Sequence, residues 1–249
     1  MTVRRIVVSV EPAPRGRAAL ETAAEIAERL GAELVGLFVE DVELLRLAGL
    51  PFAREIGFAS ATARALDVAA MERSLRSLAN EARRALAEIA GRAPLRWSFR
   101  VTRGSTLAEL LAAAAEADVV VTRAAGTERM ILRLGGSIPG VILLIPEKGW
   151  RHPLAAICSA DAPPARLAPP LAGLSRLFDE GLEVLLLCED SETADRWERE
   201  LQTLLPQYDT VGAIRVIRVT DASELSKLIG KPRTPLRPVI ARDGGRHTR

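Results

Sequence analysis

Residues 117–137 read ADVVVTRAAGTERMILRLGGS, an apolar run followed by a loop that contains several glycines. The run at 119–121 predicts a buried strand, because three consecutive valines suit a sheet that is covered on both faces. Gly126 lies beyond the end of this strand, and Gly136 is followed directly by Ser137. Glycines after a buried strand let the backbone approach a phosphate closely, and a serine adds a hydroxyl group. The stretch therefore predicts a phosphate-binding loop in an α/β sheet.

One residue of this loop does not fit the pattern. Arg123 stands where a phosphate loop of this type would have its first glycine. Its side chain could fill the phosphate site, or it could pair with a phosphate. The sequence therefore leaves open whether the protein binds a nucleotide or keeps only the fold of a nucleotide-binding protein.

Apolar strands alternate with amphipathic helices along the first part of the chain. The pattern predicts strands at 5–10, 33–39, 95–102, 118–122 and 141–145, and helices at 18–30, 62–90 and 106–117. This alternation with short connections is typical of parallel strands covered by helices. The predicted fold class is therefore α/β, with a doubly wound, Rossmann-like parallel sheet.

The second part of the chain repeats the alternation in a shorter form after a linker at 146–153. It predicts strands at 154–159, 182–188, 214–219 and 238–241, and helices at 163–179 (or from Pro170 onward), 191–205 and 223–229. We therefore expect two tandem domains: an α/β domain at 1–148 with a long crossover helix, and a smaller, degenerate α/β domain at 153–242. Residues 243–249, rich in glycine and arginine, are expected to form a flexible tail.

Two segments between the second and third predicted strands are longer than a simple crossover requires. Residues 44–58, from Leu44 to Phe58, predict a hydrophobic loop packed on its own domain; the alternatives are a lid over the crevice or an exposed surface for a protein partner. In the helix at 62–90, apolar residues recur with nearly heptad spacing. We favour a crossover helix that packs on the sheet. The alternative is that the distal end of the helix pairs with a second subunit.

Composition argues against several classes of function. The chain has 249 residues, a net charge of +2 and only 4% aromatic residues. A broad electrostatic attraction to nucleic acid is therefore not indicated, and rings that could stack on bases are few. The arginines of the helix at 62–90 are the only candidate for a basic stripe, and Glu72, Glu81 and Glu88 dilute it. No apolar run approaches the roughly 18 residues of a membrane span, and the N-terminal run is too short for an export signal. We expect a cytoplasmic protein with no nucleic-acid partner and no membrane span.

Residue types that carry catalysis or metal binding are sparse. His152 and His247 fall in the linker and the tail, and Cys158 and Cys188 make no spaced metal motif with them. Each cysteine lies at the end of a predicted strand, and the two strands are expected to be neighbours. We favour the interpretation that both cysteines are small buried residues over the alternative that they form a redox pair. The sequence shows no catalytic motif with a nucleophile and a paired base, and no Walker-type lysine follows the glycines. We therefore expect no enzymatic activity and no metal site.

At four places, residues 3–146 resemble the universal stress protein family. Residues 6–11 are similar to the family's first strand, and residues 18–38 to its first helix and second strand. Residues 104–105 before an alanine-rich helix match its third crossover, and residues 118–137 match the nucleotide signature Gly-x2-Gly-x9-Gly-Ser/Thr. The resemblance implies a five-stranded, doubly wound parallel sheet, usually a dimer, and ATP binding in members with the intact signature.

The resemblance also assigns roles to residues at the strand ends. Val10 and Glu11 would lie beside the adenine and the ribose, and Val39 would line the base pocket. The implied ligand is ATP or another adenine nucleotide, and the alternative is that no cofactor is bound.

The phosphate end of the implied site comes from the signature. Gly126 would be its second glycine, and Gly136 with Ser137 would hold phosphate oxygens through backbone N–H groups and a hydroxyl. Arg123 occupies the place of the first glycine and so joins the candidate binding residues.

Three departures from the family pattern argue against retained nucleotide binding. Arg123 replaces a glycine. Glu11 and Pro12 replace the usual Asp-Gly, which lengthens the acid and removes a backbone donor. After Ser137 the chain runs through residues 138–140 directly into a strand, whereas the family has a helix whose N-terminus faces the phosphates.

The sequence thus yields two hypotheses about function. The first is a non-enzymatic regulatory or scaffolding protein of the stress-response type with a degenerate nucleotide crevice. The second is a sensor of ATP, AMP or a cyclic dinucleotide, in which ligand binding alters oligomerisation or partner binding. Under either hypothesis we expect a homodimer or an intramolecular pseudo-dimer of the two halves, with segment 44–58 and the long helix as surfaces for a protein partner.

Overall fold

The computed structural model describes residues 3–11, 16–56, 63–65, 67–123, 138–145, 154–177, 181–208, 214–220 and 228. The strands in these ranges are β1 (Arg5–Ser9), β2 (Glu33–Asp41), β3 (Arg54–Ile56), β4 (Ala63–Ala65), β5 (Trp97–Gly104), β6 (Val119–Arg123), β7 (Val141–Ile145), β8 (Leu154–Ser159), β9 (Leu182–Leu187) and β10 (Ile214–Val219). The helices are α1 (Arg17–Leu30), α2 (Val42–Ala48), α3 (Val68–Ala90), α4 (Thr106–Glu116), α5 (Pro164–Ser175) and α6 (Ser191–Leu204), followed by a 3₁₀ turn at Leu205–Tyr208. Among these helices, none is both long enough and apolar enough to cross a membrane.

Eight of the described strands form one sheet in the order β10-β9-β8-β7-β6-β1-β2-β5, and β3 and β4 form a separate antiparallel pair. Neighbouring strands of the large sheet are parallel, except that β7 and β8 are antiparallel. β1 lies between β6 and β2, so the strand order changes direction at β1. This is the topology of a doubly wound α/β sheet, and it confirms the predicted fold class.

The two halves of the chain share this sheet. β7 is the outermost strand of the first parallel block, and it pairs with β8, the first strand of the second block. Ile142 lies opposite Ile157, and Leu144 lies opposite Ala155. The sequence analysis predicted two tandem units and left open how they are arranged. The domain boundaries at 148 and 153 fall between β7 and β8 and stay a prediction.

Helices cover both faces of the sheet. One face packs against α1, α3, α5 and α6 through a core that includes Ala23, Leu86, Leu171 and Trp197. The other face packs against α4 through a second core that includes Leu110. Because the central strands are buried on both faces, their sequences are continuous apolar runs rather than alternating ones.

Part of segment 44–58, predicted as a loop, is helical. Asp41 caps α2 by accepting the N–H of Glu43 at 2.9 Å, and Gly49 follows the last turn. The helix leaves Leu44 and Leu47 exposed to solvent instead of packing them on their own domain. The prediction of a packed loop is therefore wrong for α2, because the N-cap at Asp41 stabilises a short helix there.

The long helix begins later than predicted. Asp67 accepts the N–H of Ala70 at 2.9 Å and so starts α3 at Val68 rather than at residue 62. Its buried face, which includes Leu75 and Leu86, packs on α1 and the sheet. This supports a crossover helix, while pairing with a second subunit stays a prediction.

In the second half, the structure supports the longer of the two predicted helices. α5 runs from Pro164 to Ser175 with Pro169 and Pro170 inside it, rather than starting at Pro170. The predicted strand at 238–241 lies outside the described residues, as does the helix at 223–229 apart from residue 228.

Candidate functional site

The carboxyl ends of β1, β2 and β6 meet where the strand order changes direction, which is where an open α/β sheet places a ligand. Val10 follows β1 and donates its N–H to the carbonyl of Leu37 on β2 at 2.8 Å. Val10 is buried, Glu11 comes next in the chain, and Arg123 ends β6 on the other side of β1. The structure therefore brings three of the predicted site residues together: Val10, Glu11 and Arg123.

Glu11 and Arg123 form an ion pair across this edge. One carboxylate oxygen, Oε2 of Glu11, accepts Nε of Arg123 at 2.8 Å and lies 2.6 Å from its Nη2. The Arg123 side chain is 14% exposed and the Glu11 side chain 34% exposed. Such charge-assisted hydrogen bonds are stronger than neutral ones, and partial burial weakens the competition from water. The guanidinium of Arg123 is therefore already bound by a carboxylate of the same chain.

Gly16 fixes the backbone that carries this acid. A Cβ atom at Gly16 would lie 2.4 Å from the carbonyl oxygen of Glu11 and 3.0 Å from its nitrogen. Contacts this short are excluded for any side chain, so a larger residue at 16 would displace Glu11. The sequence analysis missed Gly16; a glycine just before α1 was the available signal.

Val39 lies on β2, next to β1, and is partly buried against the α4 side of the core. Its neighbour in register on β5 is Thr102. The Oγ1 atom of Thr102 is buried and has no hydrogen-bond partner among the described residues. Since buried hydroxyls are usually paired, this oxygen could hydrogen-bond a ligand that reached Val39.

A charged network on the opposite face of β2 was also missed by the sequence analysis. Glu40 is almost fully buried and accepts Nε of Arg103 at 3.0 Å. Arg103 also lies 3.6 Å from Glu72 on α3, and Glu72 pairs with Arg76. The network attaches α3 to the carboxyl ends of β2 and β5. An acidic residue near the end of an apolar strand was the only signal for it.

The remaining predicted site residues cannot be placed. Gly126, Gly136 and Ser137 lie outside the described residues, so their assigned contacts with phosphate stay predictions.

An adenine nucleotide at this edge would need room for a phosphate beside Arg123. The Nε and Nη2 atoms of Arg123 are directed at Glu11, so an anion on the same guanidinium would approach the Glu11 carboxylate. Like charges at short range in a partly buried crevice repel strongly. A phosphate at this edge would therefore have to share the guanidinium with the Glu11 carboxylate or displace it.

The two cysteines are free thiols. Burial raises the pKa of the Cys158 thiol, which is fully buried, so it stays protonated at neutral pH. Burial also raises the pKa of Cys188, which lies 4.0 Å from the Val219 carbonyl. Within the ranges that the structure describes, no group of three or more His, Cys, Asp or Glu side chains is placed to hold a metal ion.

Comparison with known proteins gives structural neighbours alone, since no family model and no curated protein matches the sequence. The universal stress protein UspA from Lactobacillus plantarum matches with 16% identity and a TM-score of 0.42, covering 58% of this chain and 99% of its own. A universal stress protein in complex with cAMP matches with 19% identity and a TM-score of 0.40, covering 59% and 99%. A universal stress protein from Archaeoglobus fulgidus matches with 12% identity and a TM-score of 0.48, covering 87% and 77%. All three are universal stress proteins, the family that the sequence resembles; at these identities and TM-scores the likeness concerns the fold and carries no conclusion about function.

Proposed function

We propose that this chain is a non-enzymatic regulatory or scaffolding protein of the stress-response type, in which the crevice no longer accepts phosphate. The observation that carries the proposal is the ion pair between Glu11 and Arg123. The pair lies at the end of β6, which is where the family resemblance would place the phosphates of a nucleotide. A cytoplasmic location and a dimeric or pseudo-dimeric assembly remain predictions from the sequence.

The negative charges of a nucleotide and of Glu11 would compete for the guanidinium of Arg123. ATP or AMP would bring at least one full negative charge to a guanidinium whose nearest acceptor is already a carboxylate. The nucleotide must either displace Glu11, and so lose the two hydrogen bonds of the pair, or bind beside it against charge repulsion. Either route weakens nucleotide binding relative to a crevice in which the first glycine is retained.

A scaffolding role needs a surface for a partner, and α2 with the turn that follows offers one. Leu44, Leu47, Leu50 and Phe52 are exposed there, and Phe52 is 77% exposed. Adjoining exposed apolar side chains are typical of surfaces that contact another molecule. We place the protein partner on this part of segment 44–58.

A second candidate function is the adenine-nucleotide sensor, favoured by Thr102. The unpartnered Oγ1 of Thr102 beside Val39 offers a hydrogen bond to a ligand in the crevice. A base or ribose held there would satisfy the hydroxyl, and ATP, AMP or a cyclic dinucleotide would be the ligand. Binding would then shift oligomerisation or partner binding.

The two candidates differ in what ligand binding does to stability. Freshly purified protein is denatured and the supernatant is analysed for nucleotide. The native protein is titrated with ATP, AMP and a cyclic dinucleotide in a thermal-shift assay. We expect no released nucleotide and no shift for the unmodified chain. A sensor would gain roughly 2.7 kcal/mol at a hundredfold excess of ligand over Kd.

A variant makes the test specific to the ion pair. Glu11→Gln removes the competing charge and should give the crevice a measurable response to ATP. Glu21→Gln, on the exposed surface of α1 and paired with Arg17 at 2.8 Å, is the matched control and should give no response. A nucleotide-dependent rise in the unmodified chain would reject the scaffold proposal in favour of the sensor.

A further inference from the structure

A second cleft lies at the opposite end of the sheet, at the amino ends of β1, β2, β5 and β6. Its volume is about 670 Å³, and its walls include Leu30 and Gly31 at the end of α1 and Trp97 at the start of β5. A cavity of about 220 Å³ adjoins it and shares Arg5 and Glu33 with it. Ligand pockets typically measure about 300–1,000 Å³, so the cleft is large enough for an organic ligand of nucleotide size.

Two of the three carboxylates that line the cleft are held by residues at the start of β1. Oδ2 of Asp118 accepts the backbone N–H groups of Arg4 at 2.7 Å and Arg5 at 3.0 Å. Oε2 of Glu33 accepts Nε of Arg5 at 3.3 Å. These acids therefore already have donors, and they offer a ligand little free accepting capacity.

The third carboxylate and the adjacent helix ends are occupied as well. Glu116 pairs with Arg100 at 3.3 Å. Arg166 donates to the carbonyl of Ala114 at 3.2 Å near the end of α4, and Gly31 donates its N–H to a carbonyl in the last turn of α1 at 3.1 Å. The negative ends of both helices are thus partly compensated by donors of the chain itself.

Two guanidinium groups remain uncommitted. Within the described ranges, the side chains of Arg4 and Arg96 have no hydrogen-bond or ion-pair partner, although both line the cleft. Their backbone carbonyls accept N–H groups of β2, from Glu33 and Leu34 respectively, each at 2.9 Å. The two backbones therefore lie on either side of β2, about 10 Å apart at the usual strand spacing. Both side chains are exposed, and both line the same cleft.

We propose that this cleft binds a small organic phosphate, with its anion held by Arg4 and Arg96 and a flat apolar part placed on Trp97. Guanidinium groups bind phosphate oxygens through paired, charge-assisted hydrogen bonds. The charges of Glu33 and Glu116 are balanced by Arg5 and Arg100, so Arg4 and Arg96 are the donors that remain for a ligand. The half-buried ring of Trp97 provides an apolar surface. The site is distinct from the crevice at Glu11 and Arg123 and does not depend on the function proposed for that crevice.

Phenyl phosphate, which joins a dianion to a flat ring, is the probe. Isothermal titration calorimetry on the full chain should give a Kd of about 1 mM or lower. Inorganic phosphate and benzyl alcohol, each carrying one half of the recognised chemistry, should bind about tenfold more weakly or not at all. Benzoate tests whether the site prefers a phosphate over a carboxylate, and it should bind more weakly than phenyl phosphate.

Variants locate the binding site. Arg4→Gln and Arg96→Gln should each weaken phenyl phosphate binding by about tenfold or more, since each removes a charge-assisted contact. Arg92→Gln, an exposed arginine that pairs with Glu88 at the end of α3, is the matched control and should bind as the unmodified chain does. Because these side chains are exposed, the variants should fold, which circular dichroism verifies.

Three results would overturn the proposal. One is the absence of binding by the unmodified chain, and another is unchanged binding in both Arg4→Gln and Arg96→Gln. The third is loss of binding in Arg123→Met with retention in those two variants, which would place the ligand in the crevice instead. Retained binding in Arg123→Met with loss in Arg4→Gln and Arg96→Gln supports the proposal, whatever the outcome of the nucleotide titrations.

Discussion

The ion pair of Glu11 and Arg123 can be measured by a double-mutant cycle. The changes are Glu11→Gln, Arg123→Met and the two together. Gln keeps the shape of the acid without its charge, and Met keeps much of the apolar length of the arginine. Because each single change removes the attraction between the two charges, their effects on the free energy of unfolding should not add.

The geometry sets the size of the expected coupling. Oε2 of Glu11 lies 2.8 Å from Nε and 2.6 Å from Nη2 of Arg123. At an effective dielectric constant of about 20, unit charges about 3.5 Å apart attract by about 5 kcal/mol before desolvation is counted. The acid is one-third exposed, and desolvation and screening should reduce the net coupling to about 1–2 kcal/mol. That is above the usual range of roughly 0.2–1 kcal/mol for exposed pairs and below the roughly 3–5 kcal/mol lost when one partner of a fully buried pair is removed.

Urea unfolding followed by circular dichroism measures the four free energies, first at low and then at high salt. We expect the coupling to survive most of the salt increase, since the guanidinium is largely buried and salt screens exposed charges far more. A coupling within error of zero would refute the ion pair as a feature of the folded protein. A coupling abolished by salt would show that solvent reaches the pair freely, and the argument against phosphate binding would then fail.

Three further predictions concern other parts of the molecule. Gly36→Ala should lower the free energy of unfolding by about 1–3 kcal/mol in urea, because its Cβ would lie 2.5 Å from Cδ2 of Leu86; unchanged stability would contradict the packing. Hydrogen bonds from Thr193 lower the pKa of Asp190, which means that the ionised carboxylate stabilises the folded protein. This contribution to the free energy of unfolding is complete above the ordinary pKa of an aspartate. It is lost as the pH falls through the lowered pKa of Asp190. Asp190→Asn keeps the cap without the charge, and its urea midpoint should fall less than that of the unmodified chain between neutral pH and about pH 3. Phe52→Ser should change the free energy of unfolding by no more than about 0.5 kcal/mol, because the ring is exposed, and a larger loss would show that it is packed.

Several strands were predictable from the sequence as short runs. The apolar runs at 141–145 and 154–159 match β7 and β8 at both ends, and the alternating run at 214–219 matches β10, which is only partly buried. Short continuous apolar runs between turn residues admit few other structures. By contrast, α2 has only seven residues and depends on the cap at Asp41, which hydrophobic periodicity does not detect.

The pairing of the two halves could not be predicted. The direction in which β8 lies against β7 is set by the packing of both blocks, and neither strand's sequence distinguishes a parallel from an antiparallel neighbour. The candidate site shows the same limit. Both Glu11 and Arg123 were identified as departures from the family pattern, but they are 112 positions apart in sequence, and only the fold shows that they contact each other.

That contact changes how the departures are interpreted. Without Glu11, the largely buried guanidinium of Arg123 would lose the carboxylate that accepts its Nε and Nη2 hydrogen bonds, and weaker compensation of a buried charge is unfavourable. Glu11 without Arg123 would present an acid to a crevice that binds phosphate. The longer side chain of a glutamate, compared with the family's aspartate, also helps it to span the distance to the neighbouring strand. Under the proposed function, the two departures therefore act together, because the carboxylate of Glu11 takes the acceptor position on Arg123 that an external anion would otherwise use.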